Sequence, residues 1–346
     1  MSGHFFDKES MAKNLLQNHI GIEYDKNNST IRKEEHIVKG KNIFTNPVWV
    51  VIIAVFCNIL WGSAFPFVKM GYELFQVTNS VSGKLLFAGV RFFSSGLMLL
   101  LGYLLLYRKV PKLHQSNVKH VVSLGIVQTT LQYIFFYIGL SNTTSTNGSI
   151  TNSMNVFLSA LVAHFAYAND KMNLRKSIGC LIGFGGVILA TLGGDGRTSF
   201  SVEGEGFIMV AGLMFAIGSV ISKKATRTDD SWVVTAYNLA LGGAILILAG
   251  LLFGGELHVI TVKGSIVLLY LALLSAISFT LWTMLLNYNN IGKICIYNFV
   301  IPVSGTLLSG LVLGDDIFRF RYLFSLIFVS AGIFIVNSTK HDKTAK

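Results

Sequence analysis

The sequence predicts an all-α integral membrane protein with ten transmembrane helices, arranged as two inverted five-helix repeats. Three observations predict this fold: an apolar composition, ten apolar runs, and an internal repeat that contains an odd number of runs. Of the 346 residues, 52% are hydrophobic and 13% are charged, and the mean hydropathy is +0.59. Because a soluble domain carries about 25% charged residues, we expect the surface of this chain to face lipid.

The ten apolar runs follow one another with short connections. Their predicted spans are 48–69, 85–107, 119–140, 146–168, 174–192, 205–224, 232–252, 263–287, 292–313 and 319–338. Most of them reach the roughly 20 residues that a helix needs to cross about 30 Å of hydrocarbon. The fourth and ninth spans begin with polar residues. Because the runs are continuous rather than alternating, they are typical of helices and not of a β-barrel.

The regions outside the spans set the domain organisation. Residues 1–45 are polar with mixed charge, which predicts a disordered cytosolic tail. Residues 46–194 and 195–339 are predicted to hold one repeat each, and residues 340–346 form a cytosolic C-terminal tail. With the N-terminus inside, eighteen Lys and Arg residues near the span ends lie on the inner side and six on the outer side. The positive-inside rule therefore places both termini in the cytoplasm.

The repeat is visible as two short matches between the halves. A shift of 146 residues places the fourth and fifth spans on the ninth and tenth, so that Asn152 meets Asn298. A shift of 156 residues places Gly62-Ser63 on Gly218-Ser219 near the start of each half. Since five is an odd number, the second half enters the membrane from the opposite face, which is common in transporters.

Several short motifs resemble the EamA-type branch of the drug/metabolite transporter superfamily. They are the run Trp61-Gly62-Ser63-Ala64-Phe65, the pair Arg91-Phe92, and the turns Asn169-Asp170 and Leu313-Gly314-Asp315-Asp316. The resemblance covers roughly residues 48–338. It implies ten helices in two inverted halves around a central cavity, used for export or exchange of small metabolites. The chain departs from the family in having Asp where its usual turn is Leu-Gly-Glu, and Val156 where the fourth helix usually has Pro.

The acidic residues exclude several kinds of site. All 17 Asp and Glu residues lie in the tail, in loops or at span ends, which argues against a mid-membrane proton or sodium relay. No His and carboxylate cluster suits a metal enzyme, so we expect no catalytic residue, no metal and no cofactor. The basic residues are scattered in loops, which argues against nucleic acid. Glu205, at a span end, is either a solvated charge, the favoured interpretation, or a titrating group.

Neutral polar side chains inside the spans supply the candidate substrate site. Buried amides are costly in lipid unless they are hydrogen-bonded, so their faces should point inward. Any one of them could form a hydrogen bond between two helices. Because they are spread over six helices, we favour a cavity that these polar side chains line. The predicted substrate-binding residues are Asn58, Trp61, Ser63, Gln128, Gln132, Asn152, Asn155, Ser219, Ser278, Trp282 and Asn298.

Two prolines and one arginine add further hypotheses. Pro66 and Pro302 are predicted gating or hinge residues, because each lacks the N–H that would bond the carbonyl four residues earlier. The carbonyls of Gly62 and Asn298 can then accept from substrate or water, or from a neighbouring helix. Arg91, about two turns into the second span, either binds an anionic group or extends to the outer headgroups, the favoured interpretation at that depth.

Together these features favour a secondary transporter that works by alternating access. We expect it to export its solute, with an amino acid, a related metabolite or a drug-like compound as substrate. The sequence contains no ATP-binding Gly-x-x-x-x-Gly-Lys-Ser/Thr loop. The alternative is a membrane-embedded enzyme such as a lipid-modifying transferase, which would need His, Asp or Glu gathered at one membrane face. The expected partners are the small-molecule substrate and membrane lipid. The protein is expected to be a monomer or homodimer in the cell (inner) membrane.

Overall fold

The computed structural model describes residues 43–167, 171–191, 200–257, 261–289 and 294–337. These residues form ten helices, of which the fourth is in two pieces: α1 Pro47–Leu74, α2 Val81–Tyr107, α3 Gln115–Ser141, α4a Ser145–Thr151, α4b Met154–Ala166, α5 Leu174–Thr191, α6 Val202–Ala225, α7 Ser231–Leu252, α8 Val262–Tyr288, α9 Ile296–Leu313 and α10 Phe320–Asn337. The predicted tails at 1–45 and 340–346 lie outside the described residues, except for a turn at 43–45.

The helix count agrees with the predicted fold. Within the described ranges, nine helices are long and apolar enough to cross a membrane. The remaining helix, α4, is interrupted by a turn at Asn152 and Ser153. Its first piece is rich in Ser, Thr and Asn, whose side chains compete with helical backbone bonds. Thr144 caps this piece by accepting a hydrogen bond from the N–H of Asn147 at 3.0 Å.

Three further helices contain irregular turns, and one of them is the π-helical start of α6 over Val202–Gly206. α9 starts as a 3₁₀ turn over Ile296–Phe299 and becomes α-helical at Val300. α4 and α9 correspond to the two predicted spans that begin with polar residues. Each of them has an irregular stretch in its first half. α3 contains a π-helical stretch over Gly125–Leu131, a geometry that is often found at functional sites.

Polar caps determine where several spans begin. The first backbone N–H groups of a helix have no partner in the helix itself, so a side chain must accept from them. Asn46 accepts from Val48 at the start of α1. Ser80 does the same for α2, Asp230 for α7 and Thr261 for α8. These residues fix the ends of the spans independently of their hydropathy.

The two halves pack in a pattern that stays the same when they are exchanged. If α1 to α5 are taken as equivalent to α6 to α10, then α2 packs on its equivalent α7, and α5 packs on its equivalent α10. α1 packs on α8 and α9, and correspondingly α6 packs on α3 and α4b. This symmetry, with five helices in each half, is the arrangement of an inverted repeat.

Glycines allow the equivalent helices to approach closely. A Cβ on Gly332 of α10 would lie 2.6 Å from the carbonyl oxygen of Gly179 and 2.7 Å from the nitrogen of Gly183 in α5. A Cβ on Gly89 of α2 would lie 2.5 Å from the nitrogen of Ile247 in α7. Small residues therefore hold the backbones of both helix pairs together, as is common between membrane helices.

Gly332→Ala should lower the stability of the protein, because the added methyl group meets backbone atoms that cannot turn aside. Overpacking of this kind typically costs about 1–3 kcal/mol. The midpoint of thermal unfolding in detergent measures the effect. Gly185→Ala in α5 is the matched control, since no heavy atom lies within 4 Å of a Cβ there. Equal midpoints for the two variants would contradict the close packing of α5 on α10.

Candidate functional site

The indole rings of two predicted site residues meet between α1 and α8. The ring centroids of Trp61 and Trp282 lie 5.1 Å apart in an edge-to-face arrangement. Phe279 packs on Trp61 at 5.6 Å in the same way. Trp282 is buried and Trp61 is half-buried. An aromatic wall therefore forms where the first half of the chain meets the second.

α1 also supplies two buried polar side chains. Asn58 donates from Nδ2 to the carbonyl of Ala54 at 2.7 Å, and its Oδ1 has no hydrogen-bond partner among the described residues. The Ser63 hydroxyl donates to the carbonyl of Leu60 at 2.7 Å. It also shares a 2.5 Å hydrogen bond with the hydroxyl of Tyr270 in α8. Ser63 thus joins the two halves, whereas Asn58 keeps an unused acceptor.

The two predicted glutamines lie buried on α3 but in different surroundings. Gln128, in the π-helical stretch, accepts from Nδ2 of Asn238 in α7 at 3.4 Å. Oδ1 of Asn238 accepts in turn from Thr129 at 2.9 Å. Gln132 has no partner for its Oε1 in the described ranges. Gln128 therefore belongs to an amide network with α7, and Gln132 offers a free acceptor.

The asparagines of α4 lie on either side of the helix break. Asn152 is half-buried in the turn between α4a and α4b. Asn155 is buried, and its backbone lies against α6, since a Cβ on Gly212 would be 3.2 Å from the Asn155 Cα. The structure thus brings Asn155 against the second half, while Asn152 lies where the helical hydrogen bonds of α4 are interrupted.

The hydroxyls of two predicted site residues, Ser219 and Ser278, form hydrogen bonds within their own helices. Ser219 donates to the carbonyl of Phe215 at 2.8 Å, and Ser278 donates to the carbonyl of Leu274 at 2.7 Å. Neither side chain hydrogen-bonds to another predicted site residue in the described part of the chain. Their oxygens can still accept a hydrogen bond, but they donate nothing to a ligand.

The two prolines lie in helices that cross each other. Pro66 is buried in α1 and Pro302 is buried in α9. At the crossing, a Cβ on Gly62 would lie 2.9 Å from the nitrogen of Gly305. Asn298, four residues before Pro302, is buried, and its Oδ1 lacks a partner within the described ranges. The crossing therefore combines two proline-containing helices with a partnerless amide oxygen.

Other buried side-chain oxygens in the spans also lack a hydrogen-bond partner. A buried polar atom without a partner costs about 1–3 kcal/mol, and native proteins normally satisfy such atoms with water or ligand. Both halves contribute to the set, from α1, α3, α4, α8 and α9. Within the described residues, these partnerless oxygens belong to Asn58, Asn117, Gln132, Asn147, Thr151, Ser153, Thr280, Asn298 and Thr306.

A polar cluster joins the halves at one end of the bundle, and we name it the Lys69 cluster: Lys69, Thr143, Thr146, Glu205 and Asp315. Lys69 Nζ donates to the carbonyl of Thr143, whose hydroxyl donates to Oε1 of Glu205. Oδ2 of Asp315 accepts from the N–H and the hydroxyl of Thr146 at 3.1 and 2.8 Å. Glu205 is only 1% exposed, so its favoured interpretation as a solvated charge is wrong.

A second polar cluster lies where the start of α3 meets the end of α6. Asp229, between α6 and α7, is buried and accepts from Nδ2 of Asn117 at 2.7 Å. Its Oδ1 lies 2.5 Å from Nδ1 of His114, in the connection between α2 and α3. Asn117 also donates to the carbonyl of Ala225 at 2.9 Å. This cluster anchors the loop before α3 to the end of α6.

Arg91 does not extend to the headgroups as predicted. Its side chain is 2% exposed, and its Nε donates to the hydroxyl of Ser275 in α8 at 3.0 Å. The prediction is wrong because the span was expected to begin at residue 85, whereas α2 begins at Val81. Arg91 therefore lies about one helical turn deeper in the bundle than the hydropathy pattern indicated.

Sequence reasoning missed several polar residues at the site. Their nearest hydrogen-bond partners are remote in sequence or absent. The signal was a lone polar residue within a span, as in the run around Asn238. The missed residues are Asn147, Asn238, Tyr270, Thr280 and Thr306.

Comparison with known proteins gives consistent results. The chain is 26% identical over 290 residues to an uncharacterized transporter of Archaeoglobus fulgidus, with 82% of this chain and 96% of the relative covered. It is 25% identical over 313 residues to the uncharacterized transporter YvbV of Bacillus subtilis, covering 85% and 93%. It is 23% identical over 302 residues to the uncharacterized inner membrane transporter YedA of Escherichia coli K12, covering 84% and 92%.

A structural match and a family match complete the comparison. A solved crystal structure of a protein superposes with a TM-score of 0.61 at 18% identity, over 83% of this chain and 95% of the other, which shows a common fold. The sequence profile of the EamA-like transporter family matches residues 48–192 and again residues 202–338. These two matches cover α1 to α5 and α6 to α10. The chain therefore belongs to the EamA-like transporter family and is a multi-pass membrane transporter.

Proposed function

We propose that this protein is a secondary transporter that moves a small organic metabolite across the cell's inner membrane by alternating access. The observation that carries the proposal is the set of partnerless buried oxygens from both halves, which includes Asn58, Gln132 and Asn298. An inverted repeat can present one central site to either side of the membrane in turn. Water or solute in such a site would supply the missing partners.

The site residues favour a solute with both polar and apolar parts. The free amide oxygens accept hydrogen bonds, so they match ammonium or hydroxyl donors. The rings of Trp61, Phe279 and Trp282 offer an apolar wall beside them. An amino acid or related compound satisfies both requirements. A drug-like compound with few donors would use the aromatic wall and leave the oxygens unpaired.

The Lys69 cluster supports a gate at one end of the site. Lys69, Thr143 and Thr146 belong to the first half, and Glu205 and Asp315 belong to the second. With the N-terminus in the cytoplasm, as the positive-inside count predicts, this end faces outward. The cluster then represents a closed outer gate, and release of an exported solute requires its contacts to separate. The resemblance to drug/metabolite transporters implies export or exchange, and an outer gate serves either.

Counterflow in proteoliposomes tests the proposed function directly. Thermal stabilisation of the purified protein by metabolites first selects the solutes. Liposomes loaded with unlabelled solute should then accumulate the labelled solute, and protein-free liposomes should not. Chemical conversion of the solute, or no counterflow for any solute that stabilises the protein, would contradict the proposal.

Pro302→Ala should impair transport without lowering the amount of protein in the membrane. The new N–H can form the helical hydrogen bond to the carbonyl of Asn298 that proline lacks, which makes the first half of α9 more rigid. We expect counterflow to fall severalfold while the immunoblot signal in membranes is unchanged. Pro47→Ala, at the first turn of α1 where proline has no helical bond to disrupt, is the matched control. Transport by Pro302→Ala at the wild-type rate would exclude this role.

Glu205→Ala should open the outer end of the site by removing the acceptor of Thr143. A cysteine introduced as Ser63→Cys reports the opening, in a background where Cys57, Cys180 and Cys295 are replaced. A membrane-impermeant thiol reagent added outside should label it severalfold faster in Glu205→Ala. The control is Glu203→Ala, because Glu203 is exposed on the same segment. The gate proposal fails if both variants are labelled at the same rate.

A further inference from the structure

Arg91 is a cation held inside the membrane-spanning bundle. It stands ten residues after Val81, the first residue of α2, which places it about 15 Å along the helix. Its side chain is 2% exposed. Lys and Arg in a span usually lie near the helix ends, where they reach the headgroups. An arginine this deep points to a partner inside the protein.

The partners that the structure gives Arg91 are all neutral. Its Nε donates to the hydroxyl of Ser275 at 3.0 Å and to the carbonyl of Leu271 at 3.2 Å. Its Nη1 donates to the hydroxyl of Tyr137 at 3.1 Å. The ring of Phe92 lies 4.7 Å from its Cζ. No carboxylate in the described ranges is within salt-bridge distance of Arg91.

The guanidinium group keeps donors that these contacts do not use. It has five N–H hydrogens. The Nε hydrogen is shared by two acceptors, and one Nη1 hydrogen is used by Tyr137. The remaining three have no acceptor among the residues that the structure describes. Since a carboxylate takes two adjacent N–H groups of an arginine, Arg91 has enough free donors to bind one.

Lys69, which is half-buried, shows the surroundings of another cation of this bundle. Three carboxylates, those of Glu73, Glu205 and Asp315, lie within electrostatic range of its ammonium group. Arg91 has no such neighbour among the described residues, although an unpaired charge is costly in a low dielectric. The missing negative charge can therefore come from a ligand.

Arg91 also lies beside the candidate substrate site. Its partner Ser275 lies on the same face of α8 as Ser278 and Trp282, because residues at i, i+3 and i+7 share a helical face. Its other partner, Tyr137, follows Gln132 along α3 by five residues, and Gln132 has a partnerless oxygen. The guanidinium group is thus held by α3 and α8, two of the helices that carry predicted site residues.

We infer that Arg91 binds a carboxylate group of the transported solute, which makes the substrates organic acids or amino acids. This inference rests on the proposed transporter function and adds the charge of the substrate to it. Free amide oxygens bind the donors of the solute, and Arg91 binds its acid group. A neutral or purely cationic drug would leave the guanidinium group without a counter-charge.

Chemical modification of the wild-type protein in proteoliposomes tests this inference without any variant. Butanedione is a small neutral reagent that reacts with guanidinium groups, and mass spectrometry measures its adduct on each arginine. We expect Arg91 to react, and to be protected severalfold by benzoate but not by the matched neutral compound benzamide. The inference is wrong if Arg91 stays unmodified while the exposed Arg227 reacts, or if benzamide protects it equally.

A transport experiment tests the charge preference itself. Counterflow is compared for pairs of a carboxylate and its amide. The wild type should prefer the carboxylate by about tenfold or more, as expected for a charge-assisted bidentate contact. Arg91→Gln should lose the preference and Arg91→Lys should keep part of it. Arg227→Gln, in the exposed connection before α7, should behave as the wild type.

The outcomes separate this inference from the function on which it rests. Flux that shows no preference for the carboxylate overturns the role of Arg91 and leaves the transporter intact. A preference for the carboxylate that persists in Arg91→Gln also overturns the role of Arg91 and leaves the transporter proposal intact. Absence of flux for every solute overturns the transporter proposal, whereas the modification experiment on the wild type still decides whether Arg91 meets a carboxylate.

Discussion

A bilayer offers no hydrogen-bond partners in its interior, and this constraint governs where each polar side chain of the protein lies. Caps such as Asn46 and Ser80 satisfy the first N–H groups of the spans. Hydroxyls such as that of Ser278 bond to the carbonyl one turn earlier. Amide oxygens cannot satisfy themselves in this way, because they need a donor. The oxygens of Asn58 and Gln132 therefore remain without a partner among the described residues.

Much of the fold could be predicted from the sequence, because lipid imposes a simple rule on each span. A helix needs about 20 apolar residues to cross the hydrocarbon, so the runs themselves give the helices. Even the irregular parts left a trace, since the spans of α4 and α9 begin with polar residues. The repeat could be predicted for a second reason. Small and polar residues such as Gly62 and Asn298 occupy positions that helix packing restricts, and their spacing persists in both halves.

The candidate site was less predictable, because its properties depend on contacts between remote parts of the chain. Nothing near Glu205 in sequence indicates that Lys69 and Thr143 enclose it. Hydropathy also gave Arg91 a depth that was too shallow, since a charged residue near a span end delays the apparent start of the span. Asn238 was overlooked because a single amide in an apolar run shows its importance only when its partners on α3 are known.

The π-helical stretch of α3 has a mechanical consequence. A π-helix closes its hydrogen bonds over five residues instead of four, so the stretch stores an extra residue within the span. Loss of that extra residue from the winding would turn everything beyond Leu131 by about 100° and move it by about 1.5 Å along the axis. Gln132 would then face a different side of α3, and the end of the span would turn with it while moving only about 1.5 Å along the axis. A rotation of this kind needs no change in the length of the connecting loops.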